Sequence, residues 1–136
     1  MALITDNTAL QELCGRLSKA SYITVDTEFM REKTYWPILC LVQVAGPDEA
    51  WAIDPLAEGL DLSPLFDLFA DENILKVFHA GRQDLEIFYH LAGRLPKPVF
   101  DSQIAAMVCG YGDSVGYDTL IGSLTGVRID KSSRFT

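Results

Sequence analysis

Cysteines and long apolar runs are scarce in this sequence. Its 136 residues include three cysteines, Cys14, Cys40 and Cys109, and no Cys-x-x-Cys pair. An odd and scattered set predicts neither a disulfide framework nor a zinc site. No stretch approaches the roughly 20 apolar residues that cross a membrane, and the amino terminus lacks a basic segment followed by a long apolar run. We therefore expect a soluble cytoplasmic protein with reduced thiols and no membrane partner.

Basic residues are also few, with 11 Lys and Arg against 19 Asp and Glu and a formal net charge of -8. A protein that binds nucleic acid through a broad basic surface needs clustered Lys and Arg. The composition therefore argues against this class of nucleic-acid-binding protein. An enzyme whose carboxylates bind metal is still compatible with this charge, because the metal becomes the positive charge that meets a phosphate. The length and the 49% hydrophobic content predict one domain.

The apolar periodicity predicts a mixed α/β sheet. Strands are predicted at 3–5, 22–29, 38–45, 50–53, 74–78 and 99–100, and helices beginning near Thr8, Ser63, Arg82, Gln103 and Tyr117. The first helix is predicted from a capping box formed by Thr8 and Gln11, and should end near Ala20. Short turns favour an antiparallel meander over 22–53, and the later alternation of helix and strand favours parallel strands. We expect helices on both faces of the sheet.

The strand at 22–29 carries two acids, Asp26 and Glu28, one residue apart. The two-residue period of a strand sends both side chains to the same face, where they repel each other. Such a pair is tolerated at a solvated strand end, when it shares a proton, or when it binds a divalent cation. A third acid is therefore needed to favour a metal site over a solvated strand end.

Asp84 supplies a candidate third acid from the first turn of the helix that begins at Arg82. It shares a face with Ile87, Phe88 and Leu91, which are predicted to pack inward. The helix dipole explains an acid in a first turn but not an inward-facing one, which must be hydrogen-bonded or metal-bound. Three oxygen ligands favour Mg²⁺ or Mn²⁺ over zinc, and two such ions commonly catalyse phosphoryl transfer.

These motifs resemble the ribonuclease D family, 3′-to-5′ exoribonucleases of the DEDD superfamily. The resemblance rests on VDTEF at 25–29 and HAGRQDLE at 79–86, and it continues through IDPL at 53–56, FDSQIAA at 100–106 and GVRIDK at 126–131. These segments occur in the family's order and cover essentially the whole chain. The combination is far more specific than any one segment.

The resemblance implies a ribonuclease-H-like fold in which Asp26, Glu28 and Asp84 are catalytic metal ligands, with Asp26 contacting both of two ions. It also implies hydrolysis of RNA from the 3′ end to nucleoside 5′-monophosphates. RNA 3′ ends, usually those of transfer-RNA precursors, are the implied partners. The 3′-to-5′ direction of hydrolysis, the preference for RNA and the identity of the product are implied only by the resemblance.

The family's third motif, a Tyr followed four residues later by the fourth metal-binding Asp, is not found. Neither Tyr111 nor Tyr117 has an Asp at that distance, and Asp101 belongs to a different family segment. We therefore expect residues 1–136 to form an incomplete exonuclease domain that lacks the carboxy-terminal catalytic helix. Alone, it should bind metal weakly, be inactive or nearly so, and self-associate through the apolar surface left exposed.

Three further residues are candidates for substrate contact. Phe29 is an aromatic that could stack on a terminal base, with core packing as the alternative. His79 could contact substrate or metal-bound water, or it could be a hydrogen-bonded structural histidine. Arg82 is placed to meet a phosphate near the acids. The Tyr and Trp at 35–36 are further candidates for stacking.

Two other functions stay open at this point. A DEDD exonuclease acting on DNA would use the same acids, and only substrate comparison separates it from a ribonuclease. A non-catalytic RNA-binding or scaffold module with an incomplete site belongs to a different class. Retention of Asp26, Glu28 and Asp84 argues against the non-catalytic module.

Overall fold

A computed structural model describes residues 2–31, 37–110 and 115–125 of the chain. They contain one six-stranded sheet in the order β1-β4-β3-β2-β5-β6. Its strands are β1 (Ala2–Ile4), β2 (Tyr22–Met30), β3 (Ile38–Ala45), β4 (Ala50–Ile53), β5 (Leu75–Phe78) and β6 (Val99–Asp101). Strands β2, β3 and β4 pair antiparallel, whereas β1 on β4, β5 on β2 and β6 on β5 are parallel. The predicted meander followed by parallel strands is confirmed.

Five helices accompany the sheet in the described residues: α1 (Asn7–Leu17), α2 (Ser63–Ala70), α3 (Arg82–Ala92), α4 (Ser102–Val108) and α5 (Tyr117–Thr125). Each lies where the sequence predicts a helix, but the capping box at Thr8 is wrong. Asp6 is the N-cap of α1, and its side chain accepts a hydrogen bond from the backbone N–H of Ala9 at 2.8 Å. A carboxylate at this end accepts from a free N–H and interacts favourably with the helix dipole, so α1 starts one residue earlier than predicted. It ends at Leu17, before the predicted end near Ala20.

The core lies between one face of the sheet and helices α1, α2 and α3. Along β2 the buried side chains alternate with exposed ones, with Ile23, Val25 and Thr27 inward. Phe88 of α3 packs edge-to-face on Phe69 of α2, with ring centroids 4.8 Å apart. An aromatic pair of this geometry adds about 0.5–1.5 kcal/mol to the area that it buries. This aromatic contact therefore holds α3 against α2.

Helix α3 has the predicted inward face and the predicted glycine terminus. Asp84, Ile87 and Phe88 are buried, but Leu91 is 47% exposed, so the buried face ends one turn earlier than the sequence predicts. Gly93 closes the helix at φ 76°, a left-handed conformation that glycine adopts without a Cβ penalty.

Lys76 is fully buried in β5, an unusual position for a lysine. Its Nζ donates to the carbonyl oxygen of Lys97 at 2.9 Å and to that of Asp71. Burial lowers the pKa of Lys76, and the charges of Asp71 and Glu72 oppose this shift. The ammonium group thereby ties the end of α2 and the segment before β6 to the central sheet.

Two of the sequence-based predictions, the 35–36 aromatic pair and the 126–131 part of the resemblance, fall outside the described residues. Tyr111, which the search for a third motif excluded, also lies outside them. In the part of the chain that the structure describes, no helix combines the length and the apolar character that crossing a membrane requires.

Candidate active site

The two acids of β2 lie on the face of the strand opposite the core. Asp26 and Glu28 are both exposed, and they alternate with buried Val25 and Thr27. Asp26 pairs with Gln43 and Glu28 with Leu41 on the neighbouring strand β3. The prediction that both carboxylates share one face is confirmed. Their exposure lets water screen the repulsion between them.

The third acid reaches the same end of β2 because β5 is the parallel neighbour of β2. Pairing between these strands ends at Thr24 opposite Val77. Beyond that point β2 continues alone on this side, and the chain that leaves β5 turns into α3. Asp84, in the first turn of α3, is only 7% exposed, and its Oδ1 accepts a hydrogen bond from the hydroxyl of Thr27. Asp84 therefore meets β2 at the residue between the two exposed acids.

The environment of Asp84 disfavours its charge. The pKa of Asp84 is raised from 3.8 to about 6, chiefly by burial. The hydrogen bond from Thr27 opposes this shift, and the charges of Asp26, Glu28 and Asp101 add to it. The charged form of a carboxylate that is repelled by two neighbouring acids is stabilised by a cation that binds between them.

The donor chemistry of these residues fits a hard divalent cation. All three side chains offer carboxylate oxygens, which suit Mg²⁺ or Mn²⁺. Within 2–31, 37–110 and 115–125, however, no three His, Cys, Asp or Glu side chains lie close enough together to hold an ion. Asp84 is engaged with Thr27 on the inner side of β2, whereas Asp26 and Glu28 face outward. The described residues thus supply suitable ligands without gathering them around one point.

Asp101 has a larger role at this site than the sequence indicates. Its Oδ2 accepts from the backbone N–H of Gly81 at 2.8 Å, and its Oδ1 from that of Ala80 at 3.0 Å. The same carboxylate caps α4 by accepting from the N–H groups of Gln103 and Ile104. Ala80 has φ 55°, a left-handed conformation that is uncommon for alanine. One side chain therefore holds the strained loop that leads into α3.

Asp101→Asn is expected to lower the free energy of unfolding at pH 7 by about 2–3 kcal/mol, because the amide keeps one acceptor and turns an N–H₂ toward a donor. Partial burial raises the pKa of Asp101, but the four backbone N–H groups outweigh it and hold the pKa below its ordinary value. This stabilisation is present above a pH of about 4 and is lost as the pH falls through the folded-state pKa. Urea denaturation should show a smaller difference in the free energy of unfolding between the wild type and Asp101→Asn at pH 3 than at pH 7.

Asp54 offers the matched control for this substitution. Its carboxylate accepts one backbone hydrogen bond, from Leu56 at 3.0 Å, and an amide oxygen can keep that bond. Asp54→Asn should stay within about 0.5 kcal/mol of the wild type. If the free energy of unfolding of Asp101→Asn is as close to that of the wild type, Asp101 does not hold the loop.

The structure accounts differently for the three residues proposed to contact substrate. His79 has protein partners at both ring nitrogens: Nδ1 lies 2.9 Å from Ser102 Oγ, and Nε2 lies 2.7 Å from the carbonyl oxygen of Val115. A carbonyl oxygen only accepts, so Nε2 carries a hydrogen. The structural alternative is favoured for His79 over substrate contact.

Phe29 and Arg82 differ in exposure. Phe29 is half-buried and packs against the core, just after an irregularity in pairing between Glu28 and Phe29. Core packing, the alternative to base stacking, therefore explains most of its surface. The side chain of Arg82 is 93% exposed, and its Nε lies 3.5 Å from Oε1 of Glu86. A surface ion pair of this kind is weak, so Arg82 is free to meet an anion.

Comparison with known proteins identifies the family. A model of the 3'-5' exonuclease family matches residues 1–136. Ribonuclease D of Nitrobacter hamburgensis is 57% identical over 136 residues, which cover 100% of this chain and 36% of that protein. The crystal structure of Escherichia coli RNase D, an exoribonuclease involved in structured RNA processing, has a TM-score of 0.91 at 40% identity and covers 98% of this chain.

A more distant match is Brucella melitensis NrnC with bound Mg²⁺, at a TM-score of 0.73 and 32% identity, covering 85% of this chain and 58% of that one. This chain spans 36% of the length of the E. coli RNase D chain, as it does of the Nitrobacter protein. The matches confirm the resemblance to ribonuclease D and the expected ribonuclease-H-like fold. Because the family model matches every residue, the chain belongs to the 3'-5' exonuclease family.

Proposed function

We propose that the protein to which this chain belongs is a metal-dependent 3′-to-5′ exoribonuclease. One observation carries the proposal: Asp26 and Glu28 lie on the exposed face of β2 where Asp84 of α3 approaches the same strand end. Relatives named ribonuclease D and the E. coli exoribonuclease support RNA as the substrate. RNA 3′ ends, including those of transfer-RNA precursors, are the proposed partners, and the cytoplasm is the proposed location.

In this proposal Asp26, Glu28 and Asp84 would hold Mg²⁺ or Mn²⁺, and the resemblance assigns Asp26 to both of two ions. When bound there, such ions would activate a water and supply positive charge for the leaving oxygen. Similarity to NrnC, which has been seen with bound Mg²⁺, favours Mg²⁺. Asp84 must lose its proton to bind an ion, so protons and metal compete for it. The exposed guanidinium of Arg82 is available to a substrate phosphate.

We also infer that residues 1–136 alone hydrolyse RNA poorly. The resemblance calls for a Tyr followed four residues later by a fourth metal-binding Asp, and neither Tyr111 nor Tyr117 has an Asp at that distance. Without the fourth ligand an ion is held weakly, and without the Tyr the attacking water is not oriented. The activity is therefore proposed for the whole protein. This chain spans 36% of the length of the E. coli RNase D chain.

Asp26→Asn in the whole protein is expected to slow the stepwise shortening of single-stranded RNA from its 3′ end. Replacing a ligand should cost more than the roughly 10- to 100-fold that loss of an outer partner costs. The measurement uses 5′-labelled RNA and DNA of the same sequence, each with Mg²⁺, Mn²⁺ or chelator. Asp48→Asn changes the charge equally at an exposed turn and should leave the rate unchanged.

Each outcome of this comparison has a meaning. Stepwise shortening of RNA from the 3′ end, dependent on metal and on Asp26, supports the proposal. Faster shortening of DNA would favour the DNA exonuclease instead. RNA binding without any metal-dependent cleavage would favour the non-catalytic module and overturn the proposal.

A further inference from the structure

Thr27 lies between the two exposed acids of β2 and points to the other side of the strand. It is buried, and its hydroxyl donates to Asp84 Oδ1. The side chain reaches Asp84 because pairing of β2 with β5 ends at Thr24, and the start of α3 occupies the space beyond. On the other edge, Thr27 is held opposite Val42 of β3. Thr27 is therefore fixed by the sheet at the point where α3 presents its carboxylate.

A threonine in this place fixes the direction of a carboxylate. Its β-branched side chain has few allowed rotamers in a strand, so the hydroxyl has a defined position. A carboxylate has about four acceptor sites on two oxygens, and this bond uses one, on Oδ1. Among the described residues Thr27 is the hydrogen-bond partner seen for this carboxylate, which leaves Oδ2 and the second lone pair of Oδ1 for a cation. Strand β2 thus carries two exposed acids and also orients the third acid from its buried face.

We propose that Thr27 is a positioning residue for the metal ligand Asp84. The proposal rests on the proposed function, because it assigns Asp84 to metal binding. Residues that hydrogen-bond a ligating carboxylate typically contribute about 10- to 100-fold to metal affinity. Thr27→Val keeps the shape of the side chain and removes the donor, so it should weaken Mn²⁺ binding by about this factor. Thr27→Ser keeps the donor and should restore most of the affinity.

Mn²⁺ titration of the whole protein, followed by electron paramagnetic resonance, measures this without an activity assay. Thr24→Val is the matched control, since Thr24 is on the same strand but on its exposed face. It should bind Mn²⁺ as the wild type does. Circular dichroism at the titration temperature verifies that each variant is folded. If Thr27→Val does not fold, Thr27→Ala at lower temperature takes its place, with the same expected loss and the same recovery in Thr27→Ser.

The results separate this proposal from the proposed function. A wild-type protein that binds no Mn²⁺, or an Asp26→Asn variant that binds it equally well, would overturn the proposed metal site. If the wild type binds Mn²⁺ and Asp26→Asn does not, equal affinity in folded Thr27→Val would overturn the role of Thr27 alone. A loss of affinity in Thr27→Ser as large as in Thr27→Val would also overturn it, because packing and not the hydroxyl would then be responsible.

Discussion

Asp84→Asn is expected to raise the free energy of unfolding of the metal-free protein at pH 7, on the order of 2 kcal/mol, while it abolishes tight metal binding. The reason is the pKa of Asp84, which is raised from 3.8 to about 6 chiefly by burial. A pKa unit corresponds to about 1.4 kcal/mol between the two protonation states. An amide at this position is neutral, and its oxygen can still accept the hydrogen bond from Thr27.

The pH dependence of this gain follows from the direction of the shift. Because the pKa of Asp84 is higher in the folded than in the unfolded protein, its contribution to stability is fully present below a pH of about 4. That contribution is lost as the pH rises through about 6. The difference between Asp84→Asn and the wild type should therefore be near zero at pH 4 and reach its full size above pH 7. Urea denaturation in chelator at both pH values measures it.

Asp48→Asn controls for the change in net charge, because Asp48 is exposed in a turn. It should leave the free energy of unfolding within about 0.5 kcal/mol of the wild type at both pH values. Mn²⁺ should stabilise the wild type and Asp48→Asn but not Asp84→Asn, since an ion that binds only the folded state raises stability by mass action. A metal-free Asp84→Asn variant that is less stable than the wild type at pH 7 would contradict our account of the site.

Residues whose partners lie nearby along the chain are well predicted from the sequence. The alternation of apolar and polar residues in β2 defines which face each side chain takes, so the sequence alone places Asp26 and Glu28 on one face. The glycine end of α3 at Gly93 follows from the same kind of local pattern. The inward direction of Asp84 also follows from helical periodicity. These features depend on backbone geometry alone.

Contacts between distant segments are not predicted by the sequence. Asp101 holds a loop 20 residues earlier in the chain, and Thr27 meets a carboxylate 57 residues later. Neither spacing carries a periodic signal, because each contact depends on which strands become neighbours. Lys76 illustrates the same limit, since its buried ammonium group is satisfied by backbone carbonyls that no side-chain pattern reveals. The one available hint is that a polar residue occupies a position predicted to face the core.

Gly81→Ala is expected to destabilise the fold by about 2–3 kcal/mol, the upper part of the roughly 1–3 kcal/mol that an extra methyl group costs in a well-packed site. A Cβ at this position would lie 2.5 Å from the Cβ of Phe78 and 2.8 Å from its Cγ and Cδ1. Phe78 is buried in β5, and its Cβ is bonded directly to the backbone, so a rotamer change cannot relieve the contact. The backbone dihedral φ of -87° is open to alanine, so close approach and not strain in φ makes the glycine necessary.

The loop must move if Gly81 acquires a side chain, and this movement links stability to the site. The N–H of Gly81 donates to Asp101, and Asp84 follows three residues later in α3. Gly81→Ala should therefore weaken Mn²⁺ binding in the fraction that stays folded, as well as lower the urea midpoint. Gly15→Ala is the control of opposite sign, because a Cβ there meets nothing within 4 Å and Gly15 lies within α1. It should stabilise the protein by about 0.5–1 kcal/mol and leave metal affinity unchanged. If Gly81→Ala has the same urea midpoint as the wild type, the loop accommodates a side chain. The close approach to Phe78 then does not hold α3 in place.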